Sequence, residues 1–351
     1  MLIFIVLCLG VFQVYSASIM WAKFKYSDEL FFLKRQFLFA LMGCVVFYLA
    51  SMIDLKKVQK YHKAFLLMTM ILMVLVLIPG IGVERNGSRS WFKLAGFYLQ
   101  PSELLKITMI FSSASYLSKK RNLNSFIKDL SPLLCLVLLG FGFVMLQPDF
   151  GSGIVMLCSI VAMVYVAGCP ISYFIKGGIA GVLGMAALIL SAPYRMERIT
   201  SFIDPWKDPL GSGFQMIQSL YAISPGGLFG RGILASIQKQ FYLPEPQTDF
   251  IFSIFAEEFG FFGCVILLTL YFMILWFGVL IAQNAMTRFE GYVAFGIMAL
   301  FGIQVAINLG VVVGLFPVTG ITLPLFSYGG SSLVVVMGML GIVMGISKKT
   351  K

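Results

Sequence analysis

DFIFSIFAEEFGFFGCVILLTLYFMILWFGVLI (249–281) decides the class of this protein. A helix needs about 20 apolar residues to cross a bilayer, and this run is too long for a single perpendicular crossing. It must tilt or project beyond the hydrocarbon. It also carries Asp249 at its edge and Glu257 and Glu258 inside it. Eight residues of helix rise about 12 Å, so Glu257 lies well below the membrane surface, where a lone carboxylate would be protonated or paired.

The rest of the chain has the same character. Its 351 residues are 59% hydrophobic and 12% charged, with a mean hydropathy of +0.94. Soluble globules are about 45–50% apolar and about 25% charged. Apolar stretches recur near 1–19, 33–53, 64–82, 101–117, 131–147, 152–169, 172–192, 249–281, 291–315 and 326–346. The ten-residue alternation of a transmembrane barrel is absent. The expectation is an all-α polytopic membrane protein of about ten transmembrane helices, forming one integral membrane domain over 1–351. Its long extracytoplasmic loop, 193–248, joins the seventh and eighth spans. That loop contains Trp206 and GGLFGRG (226–232) and is too apolar for a disordered linker. It is expected to pack on the membrane as short amphipathic helices.

Lys56, Lys57, Lys60 and Lys63 fall in one short loop, with Lys119, Lys120, Arg121 and Lys128 on the same side and Lys348, Lys349 and Lys351 at the C-terminus. The positive-inside rule makes that side, and both termini, cytoplasmic. The net charge of +11 is dispersed among spans, which points to anionic membrane lipids rather than nucleic acid. The six cysteines are scattered singly and read as small buried hydrophobes. His62 is the only histidine and is placed in a solvated loop, KKVQKYHK. A histidine metal site or a Ser-His-Asp triad is thereby disfavoured.

Ionisable groups at membrane depth are functional candidates. Glu103 and Lys106 lie three apart on one helix face and can pair, although Pro101 and Glu103 also make an ordinary helix start. Asp149 in QPDFG is a candidate for the same polar interior, or simply a turn residue. Asp249 admits two readings. It, or Thr248, caps the following helix, or it serves as a general base at the membrane surface. Glu245 stands close by in YLPEPQTDFIF (242–252). Arg85, Arg89, Arg195, Arg198, Arg231 and Lys239 supply cations suited to an anion. The glycine runs GGLFGRG and SYGGSS (327–332) can offer backbone N–H groups or serve as flexible turns.

RNGSRSW (85–91), QPSE (100–103), QPDFG (147–151), DPLGSGFQ (208–215), QS (218–219), GGLFGRG, YLPEPQTDFIF with EE (257–258), and PVTGITLPLFSYGGSS (317–332) follow one another along the chain. In that order they resemble the SEDS family, named for shape, elongation, division and sporulation, and within it the division and spore-cortex branch. Gln247 before TD is similar to the sporulation type; QPDFG departs from the commoner QPDLG. The resemblance implies a peptidoglycan glycosyltransferase that polymerises lipid II, a disaccharide-pentapeptide on undecaprenyl diphosphate, at the outer face of the cytoplasmic membrane. Asp249 would be its catalytic residue, and a class B penicillin-binding protein its partner. Gln100, Ser102, Glu245 and Ser331 join the cations as candidate substrate contacts. A divalent cation, Mg or Mn, on the diphosphate is compatible with this chemistry, but no acidic cluster identifies ligands. A lipid-linked-sugar flippase and a non-catalytic scaffold are the alternatives.

Overall fold

The computed structural model describes residues 1–85, 88–94, 97–120, 123, 125–191, 196 and 200–349. Seven of its helices are long and apolar enough to cross a membrane: Leu2–Tyr26, Phe31–Ala50, Leu55–Leu75, Phe126–Met145, Ile251–Gln283, Arg288–Val312 and Gly330–Ser347. Phe150–Val166 and Ile171–Gly184 are shorter apolar helices. Pro101–Lys119 takes the place of the fourth expected span. It carries Glu103, Lys106 and a run of serines, and it is buried along nearly all its length.

The chain divides into two compact units. One comprises 1–38, 172–273 and 304–329; the other comprises 39–171, 274–303 and 330–351. In the second unit, side chains fix the helix ends. Asp54 accepts from the Lys56 N–H at 3.0 Å and opens Leu55–Leu75. Asp149 accepts from the Ser152 N–H at 3.2 Å and opens Phe150–Val166. Each satisfies one of the donors a helix start leaves free. The Leu55–Leu75 and Pro101–Lys119 helices meet along a polar seam. Thr69 and Thr108 hydroxyls lie 2.9 Å apart, and His62 Nδ1 lies 3.4 Å from Ser112 Oγ. Small residues also permit close helix packing. A Cβ on Gly341 would stand 2.3 Å from the Phe47 carbonyl, and one on Gly345 2.6 Å from that of Ser51.

Four expectations need correction. Of the six cysteines only Cys169 is buried; Cys8, Cys135 and Cys158 are exposed and Cys44 and Cys264 half-buried, so most lie on outward helix faces rather than in the core. KKVQKYHK is the start of the Leu55–Leu75 helix, so His62 is helical and half-buried rather than on a solvated loop. The third span therefore ends near 75, and the chain beyond it forms a three-stranded antiparallel meander, Gly82–Arg85, Ser88–Leu94 and Phe97–Leu99. Val83 faces Trp91 and Phe92 faces Leu99. Ser88 and Ser90 hydroxyls donate to the Gln147 carbonyl, the latter at 3.0 Å, and tie the meander to the start of QPDFG. The last helix begins at Gly330 rather than 326, leaving 313–329 as irregular backbone.

Candidate active site

In the first unit, the Ile251–Gln283 helix is broken at Gly260, where φ is 66° and ψ −164°. A break strips backbone groups of their helical partners, and at membrane depth each must be satisfied by protein. GGLFGRG does this. The Arg231 and Gly232 N–H groups donate to the Glu257 and Glu258 carbonyls at 2.9 and 3.1 Å. Phe261 and Phe262 N–H groups donate to the Gly227 and Leu228 carbonyls at 2.9 and 3.1 Å. The two strands of backbone touch. A Cβ on Gly260 would lie 2.2 Å from the Gly230 nitrogen, and one on Gly230 2.1 Å from the Glu258 carbonyl oxygen. The N–H groups of Gly230, Arg231 and Gly232 are therefore engaged inside the fold; the glycine run splints a helix.

This geometry makes a prediction. Gly260 occupies backbone space that is essentially glycine-only, which costs other residues about 1–3 kcal/mol, and the overlap with backbone adds to that. Gly260→Ala should lower the melting temperature of the detergent-purified protein sharply. A melting curve within error of wild type would mean that the splint is not needed.

The carboxylates beside the break hold the loop that precedes Asp249. Glu257 accepts from Ser236 Oγ at 2.6 Å and from the Ile237 and Gln238 N–H groups at 2.8 and 3.3 Å. Glu258 accepts from Lys239 Nζ at 2.8 Å, from Ser16 Oγ at 2.6 Å and from Gln13 Nε2 at 3.4 Å. Both are buried. Lys239 is buried too and has its charge matched by Glu258. Arg231 stays exposed.

From there the chain delivers YLPEPQTD. Leu243, Pro246, Gln247 and Phe250 are buried anchors; Glu245 is exposed and Asp249 half-buried between them. The helix starts at Ile251, so Phe250 holds the position directly before it and Asp249 stands one residue further out. Thr248 Oγ1 donates to Asp249 Oδ1 at 2.8 Å. The backbone here is fixed by a residue the sequence reading missed. Asn308 Nδ2 donates to the Asp249 carbonyl and to the Ile321 carbonyl, each at 2.7 Å. The Tyr328 N–H donates to the Gln247 carbonyl at 2.8 Å.

The irregular 317–329 segment is held the same way. Gln304 donates to the Thr322 carbonyl at 3.1 Å, Tyr271 to that of Pro324 at 2.6 Å and Gln36 to that of Ser327 at 3.2 Å. Non-helical backbone inside a membrane protein persists only where protein groups or a cavity satisfy it. Uncharged carboxamides in apolar helices are the signal for such a role.

In the second unit, Lys106 Nζ donates to Glu103 Oε1 at 2.8 Å, with the two side chains 3% and 6% exposed. Gln100 Nε2 and Ser102 Oγ donate to Asp149 at 2.7 and 3.2 Å, so both side chains are directed at that carboxylate. Arg89 pairs with Glu84 at 3.3 Å, and Arg85 ends the first strand. Ser331 is buried in the first turn of Gly330–Ser347, its Oγ outside any hydrogen bond. Arg195 and Arg198 lie outside the described residues. Among the described residues no three His, Cys, Asp or Glu side chains gather to hold a metal ion.

A polytopic helical membrane protein with an acidic turn at the head of a broken helix is the class these features define. The comparisons agree. A family model described as cell cycle protein, covering FtsW, RodA and SpoVE, matches residues 1–351. Stage V sporulation protein E of Bacillus subtilis (strain 168) is 48% identical over 348 residues, 99% of this chain and 95% of the relative. A probable peptidoglycan glycosyltransferase FtsW of Geobacter sp. (strain M18) is 38% identical over 352 residues, 100% of this chain and 96% of the relative. Among solved structures, a chain from work on structural coordination of polymerization and crosslinking by a peptidoglycan synthase complex superposes with a TM-score of 0.81. It is 31% identical, and the match covers 99% of this chain and 96% of that one. The Thermus thermophilus rod shape determining protein RodA gives 0.74 at 29% identity, covering 99% and 95%. The chain belongs to the FtsW/RodA/SpoVE family.

Proposed function

We propose that this chain is a peptidoglycan glycosyltransferase that polymerises lipid II, with Asp249 as general base. The acceptor's 4-hydroxyl attacks the anomeric carbon of the donor. Its proton passes to the Asp249 carboxylate, a glycosidic C–O bond forms, and the bond to undecaprenyl diphosphate breaks. One observation carries this reading. Asp249 is half-buried, set just outside its helix, and its main chain is fixed by Asn308 while its carboxylate receives the Thr248 hydroxyl. A positioned base needs that combination of fixed backbone and partial access.

Several further assignments belong to the same proposal. The residues 1–351 act as one integral membrane domain, with both termini cytoplasmic and 193–248 on the outer face. A class B penicillin-binding protein crosslinks the product. Arg85, Arg89, Arg195 and Arg198 neutralise the departing diphosphate. A charge-assisted contact of this kind is worth about 1.5–3 kcal/mol, so each alanine variant should polymerise lipid II roughly ten- to hundredfold more slowly while inserting normally. Arg→Lys should restore only part, because the planar fork is lost. Unchanged rates in all four alanine variants would remove the clamp.

Polymerisation and transport separate in proteoliposomes carrying labelled lipid II. The expected product is glycan polymer. Movement of intact lipid II between leaflets, with no polymer formed, would replace the glycosyltransferase reading with a flippase.

A further inference from the structure

The lysine-rich end of the second unit contains a cavity that the proposed reaction does not use. It lies between Leu55–Leu75, Pro101–Lys119 and Ser131–Met145, and has a volume of about 470 Å³. Small-molecule sites span about 300–1,000 Å³.

Its two sides differ in chemistry. Lys63 and Lys119 stand exposed on its lining, and among the described residues neither takes part in an ion pair. The adjacent Lys120, by contrast, is paired with Asp129 at 2.7 Å. His62 and Ser112 add polar groups on the same lining. Ser115, fully buried, lies behind the same lining. The remaining wall is apolar, formed by Leu66, Met70, Leu133 and Leu136.

We infer that this cavity binds an anionic membrane lipid, its phosphate neutralised by Lys63 and Lys119 and the upper part of an acyl chain against the leucine wall. A free anion would make no use of the apolar side, and a neutral lipid none of the lysines. Basic pockets between transmembrane helices take phosphate head groups on this principle. Lys56, Lys57 and Lys60 are exposed on the first turns of the same helix and extend the positive surface around the mouth.

The test is lipid retention by the full chain, purified in neutral detergent and weighed intact by native mass spectrometry. The probes are phosphatidylglycerol and phosphatidylcholine with identical chains, with inorganic phosphate in excess as competitor. The wild type should retain phosphatidylglycerol preferentially, and phosphate should leave most of it bound. Each lysine near a membrane surface contributes about a fivefold preference, so Lys63→Ala with Lys119→Ala should reduce it about 30-fold. The doubly Arg-substituted protein should keep it. Equal retention of the two lipids by wild type would overturn the proposal without any variant. So would an unchanged preference in the double alanine variant. Complete displacement by inorganic phosphate would make the site an anion site only, and would equally overturn it.

Discussion

Glu258→Ala is expected to cost about 3–5 kcal/mol of stability and to leave little folded protein. The carboxylate and Lys239 Nζ meet at 2.8 Å with side chains 0% and 4% exposed. Removing one partner leaves a buried charge uncompensated, and most of the loss comes from that charge rather than from the missing contact. It also frees Ser16 and Gln13. The neutral pair Glu258→Gln with Lys239→Met should recover much of the loss, because no buried charge remains. By contrast Lys34→Ala, which opens an exposed pair with Asp28, should change stability by less than about 1 kcal/mol. The amount of monodisperse purified protein and its melting temperature read both effects. A double variant as unstable as the single one would show that pairing is not what Glu258 provides, and the same logic applies to Glu103 and Lys106.

Asp249→Asn should reduce lipid II polymerisation about 10²–10⁴-fold while leaving the protein folded. Asparagine keeps the shape and can still receive the Thr248 hydroxyl, but it cannot take the acceptor's proton. Asn308 holds the main-chain carbonyl of residue 249 rather than its side chain, so the turn should survive the change. A helix cap would respond differently: Asn caps about as well as Asp, and even Ala costs only about 0.5–2 kcal/mol. The initial rate of glycan formation at matched amounts of folded protein separates the two. Activity within a few-fold of wild type would move the search for a base to Glu245, which is exposed on the same turn.

Counting apolar residues located the membrane helices because hydrocarbon thickness fixes a length that composition can meet or miss. It was blind wherever structure continues past the hydrocarbon. The Leu55–Leu75 helix begins with lysines and His62, and a hydropathy scan discards those turns. The meander was readable by a different rule. Asn86-Gly87 lies between VER and SRSWFKL, and that dipeptide between candidate strands is a strong hairpin signal. Charge was legible in Lys239, but its partner was not, since Glu258 and Ser16 are brought to it only by the tertiary fold. Likewise GGLFGRG read as a source of backbone N–H groups or as a flexible turn, and only the fold shows that those groups are used on the break at Gly260. Asn308, Gln304 and Gln36 escaped because a search for ionisable groups passes over neutral amides, which are nonetheless what holds the irregular backbone around Asp249.

The most direct test gives labelled lipid II to the purified chain together with a class B penicillin-binding protein and sizes the glycan products on a gel. Wild-type protein should give a ladder of polymer, and Asp249→Asn protein, folded and bound to the same partner, should give almost none. No polymer from the wild type, or an equal ladder from the variant, would contradict the account.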